Sequence, residues 1–394
     1  MEARYRSTLW ACCFANFFQA VGSCFAILYV PLRGLYGLSF TDFGILVSLN
    51  FITQVASDVL FSKPVEKYGF RPFAVAASLV SAAGLGLFAA APILFPQRPF
   101  AGFCAGMFLF AAAGGLQELL LSPILDALPI PEERKARSMS MLHSFFAWGQ
   151  IFVVLATTGL LAVWGAARWQ WIVLLWAAPP VAGAALFCRV PLARKNGGAP
   201  PLPGDGTRAA IERSCGALAR KGVFYALLAA IVLGGAAEVT MAQWASAFLE
   251  KGLRLPKLAG DVWGVCFFSL MLALGRSGYA ALGARVPLHR LLIGGSGAAA
   301  VLYVVCALAP SPLLGVLACG LTGLCVSLLW PGAIILASRR IPSAGAAMFA
   351  LLSAGGDVGA SLGAFCVGRA ADWAQASGTV FAGAAWDAQF HQLL

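Results

Sequence analysis

Residues 223–248 read VFYALLAAIVLGGAAEVTMAQWASAF, and Glu238 is the only charged side chain among them. An apolar run of this length suits a helix crossing the hydrocarbon layer of a bilayer, a ~30 Å distance that takes about 20 residues. Working outward, the same pattern recurs on both sides. Spans are predicted at 7–32, 40–61, 72–95, 99–127, 138–164 and 169–189 before this one, and at 258–282, 290–309, 312–338 and 343–368 after it. The chain as a whole agrees, with 60% hydrophobic and 11% charged residues and a mean hydropathy of +0.83. A surface of that composition cannot be wetted by water, so the solvent is lipid and the fold class is an all-α, multi-pass membrane protein. A soluble enzyme on a single anchor is excluded. The first span is too long for a signal-peptide core and has no small-residue cleavage site before the next span, so it is read as retained. Eleven spans are clear. Residues 374–394 contain Gln375, Asp387, Gln389 and His391 and lack an apolar run long enough for a twelfth, which is therefore missing or divergent.

The net charge of +11 is distributed as membrane topology requires. With the N-terminus inside, the inner segments collect Arg4 and Arg6, then Lys63, Lys67 and Arg71, then Arg134, Lys135 and Arg137, and finally Arg339 and Arg340. The outer segments carry fewer basic residues, among them Arg33, Arg98 and Arg168. This is the positive-inside bias, and it orients the N-terminus inside; a bacterial cytoplasmic membrane is the expected location. Such basic loops face anionic headgroups and call for no nucleic acid. Of the 11 cysteines, only Cys215 lies in a predicted loop. None has metal or redox spacing, so neither a structural disulfide nor a metal is expected.

The longest polar stretch, 191–222, holds Pro200, Pro201, Pro203, Gly204 and Gly206. It reads as an inner-side linker between an N-terminal bundle at 1–190 and a C-terminal bundle at 223–394. The two halves echo each other. A basic turn, Ser62 to Arg71, follows the second span, and another, Gly283 to Arg290, follows the eighth. The fourth and tenth spans carry Ser122-Pro123 and Trp330-Pro331 near their inner ends, where neighbours must satisfy the carbonyl that proline frees. Duplicated helical units with a site near mid-bilayer are a transporter architecture.

On these residues the chain resembles the major facilitator superfamily. The turn Glu66-Lys67-Tyr68-Gly69-Phe70-Arg71 is similar to that family's loop between helices 2 and 3, with Glu66 standing where Asp is usual. Glu118-Leu-Leu-Leu-Ser122-Pro123, Gly275-Arg276 and Trp330-Pro331 resemble the fucose:proton symporter branch. The resemblance implies two six-helix bundles and a non-enzymatic transporter. It also implies that Glu118, matching the helix 4 carboxylate of that branch, takes part in proton-coupled sugar transport. The helix 1 carboxylate of the branch has no counterpart, since Ile27 stands four residues before Pro31. Helices 1, 4, 7 and 10 line the cavity in the superfamily, which ranks Asn16, Gln19, Gln243, Trp244 and Trp330 first as substrate-binding candidates.

Ionisable residues inside spans cost at least ~2.5 kcal/mol at a helix centre, so each is a functional candidate. Glu238 and Asp357 lie deepest and, with Glu118 and His143, are candidates for proton coupling; an ion pair between Glu238 and Arg276 is the structural alternative. Asp58 and Arg276 sit before the inner turns of the two halves. With Glu66, Arg71 and Arg285 they are candidates for gating. Amides and indoles suit a neutral polyhydroxyl solute, although amides also glue helices together. Trp164, Trp169 and Trp171 are expected in the interfacial belt. No phosphate-binding loop is present, so neither ATP nor another cofactor is expected. The leading expectation is a secondary active transporter, a proton-coupled symporter of a sugar or similar small polar metabolite working by alternating access. The alternatives are an exporter or exchanger of amphipathic or ionic compounds, with Arg276 as anchor, and a non-transporting membrane receptor.

Overall fold

The computed structural model describes residues 3–126, 128, 132–192, 222–282, 287–309, 311–340 and 345–377. Among them the chain divides into two compact units, Met1–Lys195 and Asn196–Leu394.

In the first unit, α1 (Ala3–Gln19) passes through a 3-10 turn at Ala20–Ser23 into α2 (Cys24–Tyr36), making one bent span. Gly37, at φ 67°, ends it and donates its N–H to the Arg33 carbonyl. A Ser39/Asp42 capping box starts α3 (Phe40–Tyr68), satisfying donors that a helix N-terminus leaves open. The basic turn expected over Ser62–Arg71 is mostly helix. The reversal is confined to Gly69, whose φ of 82° only glycine adopts without strain, and α4 (Phe70–Leu94) begins at the next residue.

Backbones touch where α4 crosses α5 (Pro99–Asp126). A Cβ on Gly106 would lie 2.6 Å from the Phe88 nitrogen, and one on Gly84 would lie 2.5 Å from that of Phe110. Small residues of this kind let helices approach in lipid, where dispersion and not water drives association. Farther along, α6 (Glu132–Trp164) crosses α1 through Gly149, where a Cβ would strike the Phe17 carbonyl. The sixth span is α7 (Trp169–Trp176) and α8 (Ala178–Arg189), interrupted at Ala177 because Pro179 and Pro180 offer no N–H to continue the helix. Trp169 departs from its expected place in the belt. It is 0% exposed, meets Phe88 and Phe103 edge-on and donates its indole N–H to the Tyr36 hydroxyl at 3.2 Å. An inward hydrogen-bond partner lets the indole bury completely. Trp171, two residues on, stays exposed.

In the second unit, α9 (Gly222–Ala247) loosens into a π turn at Phe248–Gly252. The eighth span comprises α10 (Lys257–Gly260), a second π turn (Asp261–Cys266) and α11 (Phe267–Leu282). Next come α12 (Leu288–Leu308), then α13 (Pro312–Val326) and α14 (Leu329–Arg340) as a broken tenth span, then α15 (Gly345–Ser377). Glycine again sets the closest crossing. Cβ atoms on Gly235 and Gly359 would strike the Gly356 and Val232 carbonyls, pressing α9 against α15.

All eleven predicted spans are therefore helical among the described residues. Nine are long and apolar enough to cross a membrane by length and composition. The other two, α3 and α15, run 29 and 33 residues.

Candidate functional site

Each unit holds its own set of polar groups. In the first unit, Gln19 on α1 donates its amide N–H to the Gly114 carbonyl of α5 at 3.5 Å. Gln54 of α3 lies beside the same glycine; a Cβ on Gly114 would be 3.5 Å from its amide nitrogen, and one on Gly115 would be 2.7 Å from its backbone. Asn16 is buried and donates to the Leu142 carbonyl at 2.7 Å, which ties α1 to α6. Two buried acceptors in this unit, Gln19 Oε1 and Asn50 Oδ1, have no hydrogen-bond partner among the described residues. Buried acceptors are costly to leave empty. Glu118 stands one helical turn beyond Gly114. Its side chain is exposed, although Leu116, Leu120 and Leu121 around it are buried. An ionisable side chain inside an apolar span is costly and is a functional position by default.

The second unit brings together Glu238 and Arg276, the ion pair expected as the structural alternative to proton coupling. Arg276 of α11 binds Glu238 of α9 at 2.6 Å, Nη2 to Oε1. Its Nε donates to the Ser327 carbonyl at 3.1 Å. The second contact has a cause in the sequence. Pro331 has no N–H to give residue 327, so the Ser327 carbonyl is the one this proline frees, and the span breaks there between α13 and α14. A guanidinium with several fixed donors can serve that carbonyl and a carboxylate together. The helix 10 proline thus orients the arginine, and the arginine holds Glu238. The remaining oxygen, Glu238 Oε2, is buried with no hydrogen-bond partner among the described residues.

The other candidates are dispersed. Trp330 lays its indole over two glycines, with Cβ positions on Gly356 and Gly235 falling 2.7 and 3.0 Å from the ring. It packs α14 against α9 and α15. Trp244 is buried on α9, Gln243 beside it is half-buried, and Asp357 is half-buried on α15. Arg71 caps the end of the sixth span, donating to the carbonyls of Phe187, Cys188 and Val190. The side chains of Asp58, Glu66 and His143, and all of Arg285, lie outside the described residues.

One polar network is absent from the sequence reading. Asp261, fully buried in the second π turn, accepts from Lys257 Nζ at 2.5 Å and from the Ser246 hydroxyl. Lys257 also lies 3.8 Å from Glu250. The i, i+4 spacing of Lys257 and Asp261 was a legible signal of helical pairing.

The model of the Major Facilitator Superfamily matches residues 9–382. The chain belongs to the major facilitator superfamily. Solved structures of similar fold include a D-xylose-proton symporter, at 15% identity over 93% of this chain and 89% of that one, with a TM-score of 0.75. A nucleoside transporter shares 13% identity over 96% and 95%, with a TM-score of 0.75. The E. coli fucose:proton symporter shares 16% identity over 96% and 95%, with a TM-score of 0.62. At these identities the likeness is one of fold. No curated protein matches the chain in sequence. As a member of the superfamily, the protein is an integral, multi-pass membrane protein with a transporter fold.

Proposed function

We propose that this superfamily member is a proton-coupled symporter of a sugar or similar small, neutral, polar metabolite, working by alternating access in a bacterial cytoplasmic membrane with its N-terminus inside. The observation that carries this reading is Glu118, an exposed carboxylate within an apolar span and flanked by buried leucines. An acid reached by water at such a place can load and release a proton. The unpartnered Gln19 and Asn50 oxygens favour a solute rich in hydroxyl donors. Three of the solved neighbours are described as symporters or transporters of sugars and a nucleoside, which supports the same substrate class. Arg276 is engaged by Glu238 and Ser327, so an exchanger using it as a free anion anchor is less favoured. Asp58, Glu66, Arg71 and Arg285 keep their proposed part in gating the inner mouth.

The test is a panel of sugars and nucleosides added to proteoliposomes containing the protein, with external pH recorded. Symport makes the outside alkaline when the right solute is added, and Glu118→Gln abolishes that signal while leaving binding measurable by thermal shift. Acidification on adding a cation would replace this reading with an exchanger. Binding without any flux would replace it with a receptor.

A further inference from the structure

Cys306 and Cys319 face each other in the second unit with their Sγ atoms 3.8 Å apart, one thiol hydrogen-bonded to the other. They belong to neighbouring helices of one hairpin. Cys306 lies two residues before α12 ends and Cys319 within the first two turns of α13, joined by the short connection around Ser311. Cys306 is 9% exposed and Cys319 is 0% exposed. Two thiols of ordinary packing function have no reason to share a hydrogen bond, since a thiol is a weak donor and a weak acceptor. They lie near Tyr303, which sits one turn before Cys306 and donates its hydroxyl to the Ala237 carbonyl at 2.6 Å. Ala237 immediately precedes Glu238. The pair therefore sits on the helix that braces the ion-paired carboxylate.

We propose that Cys306 and Cys319 form a reversible dithiol/disulfide modification site that staples α12 to α13. A disulfide brings its sulfurs to about 2.05 Å, so the pair must close by less than the thickness of one atom. In the reaction both S–H bonds break and one S–S bond forms, and two protons and two electrons leave. A membrane-soluble quinone takes them and becomes a hydroquinone; in the test tube a diazenedicarboxamide takes them and becomes a hydrazine derivative. A thiol reductant reverses the step by exchange. None of this depends on the transport reading above.

The experiment treats the full-length protein in lipid nanodiscs with the diazenedicarboxamide, quenches, denatures, and alkylates remaining thiols with a maleimide before peptide mapping. The expected result is loss of alkylation at both positions together, a non-reduced peptide pair lighter by two hydrogens, and full recovery after dithiothreitol. Cys306→Ser should leave Cys319 alkylable under the same oxidant, and Cys319→Ser should do the converse if the first variant folds poorly. The oxidised protein should also unfold at a higher temperature than the reduced one, a shift absent in either variant, because the cross-link restricts the unfolded chain. Full alkylation of both cysteines in the folded protein, while the oxidant consumes a small dithiol in the same tube, would overturn the proposal. So would a disulfide that lowers the unfolding temperature, since that bond would form only by distorting the packed pair.

Discussion

Arg276 is where sequence chemistry becomes geometry. Pro331 frees one carbonyl, Arg276 fills it, and the same guanidinium neutralises Glu238. Removing one member of such a pair leaves the other charge in a poor solvent, which costs more than removing both. Glu238 is 14% exposed and Arg276 36%, so water screens the pair in part and the fully buried figure does not apply. Arg276→Met should destabilise the protein by about 1–3 kcal/mol, read as a lower unfolding temperature in detergent. The double variant Glu238→Gln with Arg276→Met should recover part of that loss, and a double variant less stable than the single would show that the two side chains are not coupled. Pro331→Ala restores an N–H for Ser327, which then competes with Arg276. The expected outcome is a straighter tenth span and a smaller stability penalty for Arg276→Met in that background than in the wild type.

At the scale of elements, glycine decides which helices meet most closely. The α4–α5 crossing has backbone against backbone at Gly84 and Gly106. Gly106→Val should cost about 1–3 kcal/mol, as overpacking of a fitted interface does, and lower the yield of monodisperse protein in size-exclusion chromatography. Gly86, on α4 two residues past Gly84, has open space where its Cβ would point, and Gly86→Ala should leave stability unchanged or slightly raised. Equal losses for both variants would mean that helix flexibility matters and not the crossing. The paired π turns at the start of the eighth span and the end of the seventh are a second element-scale feature. Widened turns are common at functional positions, and here they surround the Lys257–Asp261–Ser246 network. Asp261→Asn should weaken the ion pair with Lys257 and leave that ammonium with one charged neighbour, Glu250. The expected result is faster amide exchange confined to residues 246–266, with exchange in α12 unchanged.

For the whole molecule, the expected topology follows from charge alone and remains the reading we propose. Single cysteines at Arg98 and Arg340, in a background without the native cysteines, should label from opposite sides of intact cells, Arg98 from outside and Arg340 from inside. Labelling of both from outside would overturn the orientation and with it the assignment of the inner gate. The two compact units each carry half of the candidate chemistry: exposed Glu118 with its amide neighbours in the first, the Arg276–Glu238 pair in the second. Proton coupling through Glu118 predicts that Glu118→Gln loses uphill accumulation while exchange of pre-bound solute partly survives, and equal loss of both would point to binding instead.

The sequence by itself determined the solvent and the eleven helical spans, because apolar run length and the placement of proline and glycine are one-dimensional quantities that lipid and backbone geometry read directly; the family was legible through the resemblance of its turn and span motifs. It also exposed most of the candidate residues, since a charge in an apolar span is conspicuous wherever it points. Only the tertiary structure decided partnership. Glu238 and Arg276 are 38 positions apart, and nothing in their separate spans says that both lie at one depth. Trp169 looks like a belt residue until Tyr36 is seen to receive its N–H, and only the fold shows that Trp330 lies over Gly235 and Gly356. Which face a side chain presents, and what meets it there, depends on helix rotation and crossing, and those are fixed by contacts between residues far apart in the chain.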